Sequence, residues 1–176
     1  MSCVSGSRNI RRHCIVYPSA LGAASTRSNI VSRYIQQRYG HGFCCHAIAL
    51  FNSRIFLCGE SHNTQSDIWH RVVDITRCNN EPASWENVHI AAEILGLELV
   101  AWDKREKIPP VPAIIPITTK LPFPHIALVV ETRGRDVEIA NYKGWAGVDE
   151  PVQTRIWGDL RIPGDEPIFV VTKRSC

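Results

Sequence analysis

The stretch PHIALVVETRGRDVEIAN, residues 124–141, decides the predicted fold. Its apolar residues run through 126–130 and return after the turn-forming sequence RGRD at 133–136, so it predicts a β-hairpin. Because the second strand of a hairpin runs back along the first, the two free ends lie close together. His125 opens the first strand and Asn141 ends the second. We therefore expect these two residues at the same end of the ribbon.

Apolar spacing, caps and turn residues predict the other elements. A helix is expected from Thr26 or Ser28 to about Arg38, and the clearest helix runs from Trp85 to Leu95, with Ser84 as cap and Gly96 as stop. Residues 44–51 could form a helix or a strand, and 67–77 are ambiguous, with 72–75 favouring a strand. Further strands are expected at 55–58, 97–102, 113–118 and 167–172. Helices first and strands later predict an α+β fold, with N-terminal helices packed on an antiparallel sheet.

The chain has 176 residues, which predicts one domain with a sizeable core. We place that domain at 26–176, after a flexible basic arm at 1–25. The first 59 residues hold seven arginines and no acidic residue. Such a segment could be a targeting signal, a weak nucleic-acid or membrane contact, or a solvated arm. Nucleic acid is therefore expected as a partner only through this arm. No apolar run approaches the roughly 20 residues of a membrane span.

Seven cysteines, an odd number, occur without a secretory signal sequence. This pattern favours reduced thiols and a cytosol-like compartment, rather than a disulfide-stabilised secreted protein. Cysteines are also among the most buried residue types, and many of them act only as small apolar side chains.

Two of the cysteines stand together in the sequence GFCCHA, residues 42–47. If a helix begins here, its first turn would lower the pKa of a thiol, and its unpaired N–H groups could hold an oxyanion. His125 would then supply the base, and Asn141 would fix the tautomer of its ring. Cys44 is the preferred nucleophile and Cys45 is the alternate.

A Gly-x-Cys sequence opening an apolar helix, a distant His opening a strand, and an Asn one hairpin later resemble the papain-like cysteine proteases. The resemblance extends to bacterial effector and viral leader proteases and to deamidases, and covers residues 37–145. It implies a thiol hydrolase, either a cysteine protease or a glutamine deamidase, which acts on a protein substrate without a cofactor. It also implies a protein that works in the cytoplasm or is delivered into a host cytosol. Gln37 is nearest to the place of the oxyanion glutamine, and no Trp follows the candidate cysteine.

A different class of function is a non-enzymatic Cys/His-rich binding protein, with or without a structural zinc site. The pairs His41/Cys44 and Cys58/His62 have spacings that suit tetrahedral zinc. Three further residues, His46, His70 and Cys78, are spare ligands. The apolar residues between the two pairs favour a buried core element over a zinc loop.

Overall fold

The computed structural model describes residues 34–35, 44–59, 67–76, 83–120, 123–142 and 152–174. Within these ranges three helices come first: α1 (Cys45–Cys58), α2 (Asp67–Thr76) and α3 (Trp85–Ile94). Six strands follow: β1 (Leu97–Ala101), β2 (Ala113–Ile117), β3 (His125–Arg133), β4 (Asp136–Ala140), β5 (Val152–Ile156) and β6 (Phe169–Lys173). The fold is therefore α+β, with the helices before the sheet, as the sequence predicts.

The six strands form one sheet in the order β1-β6-β2-β3-β4-β5, and every neighbouring pair is antiparallel. The predicted hairpin is confirmed as β3 and β4, with Gly134 in the left-handed conformation (φ 64°) at its turn. β3 lies inside the sheet, between β2 and β4. His125 therefore stands at the start of an interior strand, opposite Ile117 of β2.

Both faces of the sheet are covered along β3. Ile126, Leu128 and Val130 belong to the core that includes α1, whereas Ala127 and Val129 belong to a second core with Trp157 and Ile168. A strand that is buried on both faces needs no polar residues in alternation. This explains the unbroken apolar run of β3, and α1 packs against one face of that strand.

The strand predicted at 55–58 is wrong, because α1 continues without a break from Cys45 to Cys58. The sequence Asn52-Ser53-Arg54 resembles a turn, but each of its side chains is used inside the fold. Asn52 is bonded to the backbone of Ile35, the Ser53 hydroxyl donates to the Ala49 carbonyl at 2.8 Å, and Arg54 donates to the Leu95 carbonyl at 2.9 Å. Because these groups are satisfied within the protein, nothing in the segment ends the helix.

Replacing Asn52 by alanine should lower the free energy of unfolding by about 2 kcal/mol, because it leaves two buried backbone groups of Ile35 without their bonds. The Asn52 side chain accepts from the Ile35 N–H at 2.7 Å and donates to its carbonyl at 3.0 Å. Ser53→Ala is the matched control, because it removes a buried hydroxyl that bonds only within its own helix. Urea unfolding of both variants measures the difference, and equal losses would mean that the Asn52 bridge contributes nothing special.

The preference for a strand within 67–77 is also wrong, since α2 occupies Asp67–Thr76. Its buried residues Trp69, Val72, Val73 and Thr76 follow helical spacing. The ring of Trp69 packs against Phe51 of α1, with 4.8 Å between the ring centres. Packing of this face therefore outweighs the strand propensity of the β-branched residues at 72, 73 and 75.

The other predicted elements agree with the structure, apart from β5 and the helix predicted at 26–38. Ser84 caps α3 by accepting from the Asn87 N–H at 3.2 Å, and Gly96 follows it at φ 70°. β5 (Val152–Ile156) has no counterpart among the predicted strands. Tyr34 and Ile35 are buried but not helical, and the rest of the helix predicted at 26–38 lies outside the described residues. So does the arm at 1–25.

In the described part of the chain, no helix has the length and apolarity to cross a membrane.

Candidate active site

The two adjacent cysteines lie at the start of α1. Cys44 is the cap residue, whose carbonyl accepts from the Ile48 N–H at 3.0 Å, and Cys45 is the first helical residue. Neither cysteine is disulfide-bonded and both are buried, Cys44 with 1% and Cys45 with 8% of its surface exposed. A thiol in this position is close to the unpaired N–H groups and the positive end of the helix dipole, which favour a thiolate and an oxyanion.

His125 and Asn141 lie together at the end of the hairpin. The Nε2 atom of His125 is 2.5 Å from the backbone carbonyl oxygen of Asn141, whose left-handed conformation (φ 59°) follows directly after β4. The partner atom is thus a backbone carbonyl, not the side-chain amide that the sequence suggested. A carbonyl oxygen only accepts, so Nε2 carries the hydrogen. In a neutral ring this leaves Nδ1 with a free lone pair.

The ring of His125 is neutral near pH 7. Burial lowers the pKa of this histidine from its ordinary 6.5, and the bond to the Asn141 backbone opposes that effect only in part. The ring is 7% exposed. His125 therefore has what a general base requires: an unprotonated nitrogen and a second nitrogen that is held in one tautomer.

A second imidazole belongs to the site. Nδ1 of His46 lies 3.9 Å from Sγ of Cys45, and the ring meets that of Trp85 edge-on, with 5.3 Å between centres. Burial lowers the pKa of His46 from 6.5 to about 4, and repulsion from the charge that His125 can carry contributes as well. The two imidazoles are thus neighbours. The sequence analysis gave His46 no role beyond that of a spare zinc ligand, although its position next to Cys45 was a usable signal.

The structure thus brings Cys45, His46 and His125 into one region. Among the described residues, the hydrogen-bonding contact to a cysteine sulfur is that of His46, and no such bond joins either sulfur to His125. Catalytic hydrogen bonds in a ligand-free site are often longer than in the complex.

A cavity of about 240 Å³ opens beside these residues. His46 of α1 and Trp85 of α3 line it, and Pro124 and Ile126, which flank His125, line it from β3. Ala83, Asp165 and Glu166 complete its wall. The cavity therefore joins the start of α1 to the start of β3, where the candidate nucleophile and base are found.

The carboxylate side of the cavity is held in place by two sets of hydrogen bonds. The Trp85 indole N–H donates to Oε2 of Glu166 at 2.9 Å. The guanidinium of Arg105 donates to the carbonyl of Pro163 at 2.7 Å and to the carbonyl of Glu166. These bonds fix the segment 163–166 against α3 and against the loop that follows β1.

Gln37 and the zinc candidates His41, His62 and Cys78 lie outside the described residues. Cys58 lies at the end of α1. No group of three candidate metal ligands is found in the ranges that the structure describes.

A comparison with protein-family models gives no match for this chain, and a comparison with curated proteins gives no significant similarity.

Proposed function

We propose that this chain is a thiol hydrolase of the papain-like kind, which cleaves an amide bond of a protein substrate by acyl transfer. The observation that carries the proposal is the thiol of Cys45, the first residue of α1, whose sulfur lies 3.9 Å from the neutral imidazole of His46. His46 lines a cavity and is an electrostatic neighbour of a second neutral imidazole, that of His125. One of these imidazoles is held in a single tautomer by its bond to Asn141. A nucleophile, a base and a group that orients the base are the parts that acyl transfer requires.

Cys45 is the better candidate for the nucleophile, although the Gly-x-Cys pattern favours Cys44. Cys45 is the first helical residue, and its sulfur contacts an imidazole that borders the cavity. Cys44 is the cap residue, and only 1% of its surface is exposed. A substrate carbonyl can approach a sulfur next to a cavity more easily than one enclosed in the core.

His125 is the better candidate for the general base. Its Nε2 is fixed by the Asn141 carbonyl, so the basic nitrogen of the neutral ring is Nδ1. His46 is nearer to the sulfur, but it follows Cys45 directly in the helix, and its 3.9 Å contact can arise from that adjacency. Separate variants of His125 and His46 distinguish the two assignments.

The proposed reaction has two steps. The Cys45 sulfur attacks the amide carbon while its proton passes to Nδ1 of His125, and the oxyanion is held by N–H groups of the first turn of α1. The C–N bond then breaks, the imidazolium gives its proton to the leaving nitrogen, and a thioester remains. In the second step, water gives a proton to Nδ1 and attacks the thioester. The acid is released, and the sulfur takes the proton back.

A protease and a glutamine deamidase share this thioester step, and the proposal covers both. They differ in the leaving group, which is a peptide amine for the protease and ammonia for the deamidase. Gln37 is proposed as a side-chain donor to the oxyanion, on the resemblance to papain-like enzymes alone. The same resemblance motivates the proposed site of action, in the cytoplasm or in the cytosol of a host.

Iodoacetamide should alkylate Cys45 at least about tenfold faster than Cys44 in the native protein, because a positioned base accelerates attack by its thiol. His125→Ala should remove most of that advantage, whereas His46→Gln should keep it if His125 is the base. Peptide mapping by mass spectrometry gives the rate at each cysteine.

Slow and equal labelling of both cysteines would contradict the proposal and indicate inert core thiols. Loss of the advantage in His46→Gln, with His125→Ala unaffected, would transfer the role of base to His46. About one equivalent of zinc in protein purified without added metal would favour the alternative, a non-enzymatic Cys/His-rich binding protein.

A further inference from the structure

The cavity lined by His46 has the chemistry of a cation site. Of the described residues that line it, Asp165 and Glu166 are acidic and none is a lysine or arginine. The guanidinium of Arg105 is bonded to this segment, and it donates to the carbonyls of Pro163 and Glu166. Within the described residues, both carboxylates therefore border the cavity without a positively charged side chain in its wall.

Glu166 is held in a fixed orientation. Trp85 donates its indole N–H to Oε2 of Glu166 at 2.9 Å, and both residues line the cavity. A carboxylate with one oxygen bonded in this way keeps lone pairs for a second donor. The indole ring next to it attracts cations through its π electrons. The pair thus offers two attractions for one positive group.

His46 supplies an independent indication of a ligand. Only 4% of its surface is exposed, yet it lines the cavity. In the described part of the chain its hydrogen-bonding contact is made by Nδ1, with Cys45, and Nε2 makes none. Because the pKa of His46 is about 4, the ring is neutral near pH 7 and does not repel a cation.

The size of the cavity limits the kind of cation. Its volume of about 240 Å³ lies just below the roughly 300–1,000 Å³ of pockets for drug-sized ligands, which suits one long side chain rather than a peptide or a cofactor. A bare metal ion is disfavoured, because no three candidate ligands converge within the described residues. An organic cation that lies along Trp85 and reaches the carboxylates fits better.

We infer that this cavity is the subsite that binds an arginine or lysine side chain of the protein substrate, next to the bond that Cys45 attacks. The inference rests on the proposed function, since it makes the cavity part of a hydrolase. His46 connects the cavity to the nucleophile, because this residue lines the cavity and its Nδ1 lies 3.9 Å from the Cys45 sulfur. Charge-assisted hydrogen bonds to Asp165 and Glu166 would give the preference for a cation over a neutral side chain of equal length.

Dipeptidyl chloromethyl ketones test this directly, because they bind as substrates do and then alkylate the nucleophile with loss of chloride. One reagent carries norleucine at both positions. Each of the two others carries one cationic residue, arginine or lysine, and norleucine at the remaining position, so that the cation is tested at each position in turn. We expect Cys45 to react at least about tenfold faster with a cationic reagent than with the neutral one at one of the two positions. This ratio should fall with added salt.

The carboxylates are tested by Glu166→Gln and Asp165→Asn, singly and together. Each rate is divided by the iodoacetamide rate of the same variant, so that changes in thiol reactivity cancel. The double variant should bring the ratio of cationic to neutral reagent to within about twofold. Glu98→Gln is the matched control, because this exposed acid lies on β1 and does not line the cavity. It should keep the native ratio.

The outcomes separate the two proposals. Equal rates with cationic and neutral reagents, together with rapid labelling of Cys45 by iodoacetamide, would overturn the subsite and leave the hydrolase proposal standing. A cationic preference that survives in the double variant would also overturn the subsite. Slow labelling of Cys45 by iodoacetamide would instead count against the hydrolase itself.

Discussion

Cys45→Ala should abolish amide hydrolysis, with a loss of at least about 10⁴-fold, because removing the nucleophile of an acyl-transfer enzyme leaves only binding and oxyanion stabilisation. Cys44→Ala is the matched control, since it deletes the neighbouring sulfur at the same helix start. We expect it to keep activity within about tenfold of the native protein. Release of peptides and of ammonia from a basic protein substrate that contains glutamine, such as core histones, measures protease and deamidase activity together.

For stability we expect the opposite ranking, with a larger loss in Cys44→Ala than in Cys45→Ala. Cys44 is enclosed in the core, with 1% of its surface exposed, whereas Cys45 is 8% exposed and its sulfur contacts His46, which lines the cavity. Deleting the more enclosed sulfur leaves a void, and a cavity of that size costs on the order of 1 kcal/mol. Cys44→Ala should therefore melt at a lower temperature and stay active, while Cys45→Ala should fold well and be inactive. Activity lost only in Cys44→Ala would move the nucleophile to Cys44, and activity in the double variant would exclude a thiol mechanism.

The hairpin could be predicted because its information is local. An apolar run, a turn sequence and a second apolar run define β3 and β4, and they bring His125 to Asn141 without any knowledge of the rest of the chain. The bond itself was predicted less well. It uses the Asn141 carbonyl, and the direction of a carbonyl depends on the left-handed backbone at φ 59°, which composition does not reveal.

The course of α1 could not be predicted, because its evidence lies elsewhere in the chain. Asn52 is satisfied by Ile35, 17 residues before it, and Arg54 by Leu95, 41 residues after it. A sequence window around Asn52-Ser53-Arg54 contains neither partner, so these residues look like a turn. The cavity is invisible for the same reason. His46, Trp85, Ile126 and Glu166 come from four separate segments, and only the packing of α1 and α3 on the sheet assembles them.

Acidification should destabilise the protein through His46. Its pKa in the folded protein is about 4, against 6.5 for a solvated histidine, mainly because the ring is buried. Above pH 6.5 neither state binds the proton, so this residue makes no pH-dependent contribution. Between pH 6.5 and about 4 the unfolded chain binds a proton that the folded chain does not. The free energy of unfolding therefore falls with decreasing pH, by about 1.4 kcal/mol per pH unit and by about 3 kcal/mol in all. Burial also lowers the pKa of His125, which adds a loss of the same sign.

Urea unfolding between about pH 7 and pH 4 measures this effect. His46→Gln should flatten the profile by about 3 kcal/mol across that range, because glutamine has no proton to gain. The comparison uses only the change in the free energy of unfolding with pH. A difference in stability at pH 7 between the variant and the native protein therefore does not affect it. His89→Gln is the matched control, because His89 is an exposed histidine on α3 whose ring meets that of Phe169 edge-on. A native profile that is flat down to pH 4, or one that His89→Gln flattens as much as His46→Gln, would contradict a buried neutral imidazole at His46. That result would also weaken the cation subsite, since a protonated His46 would repel a positive side chain in the cavity that it lines.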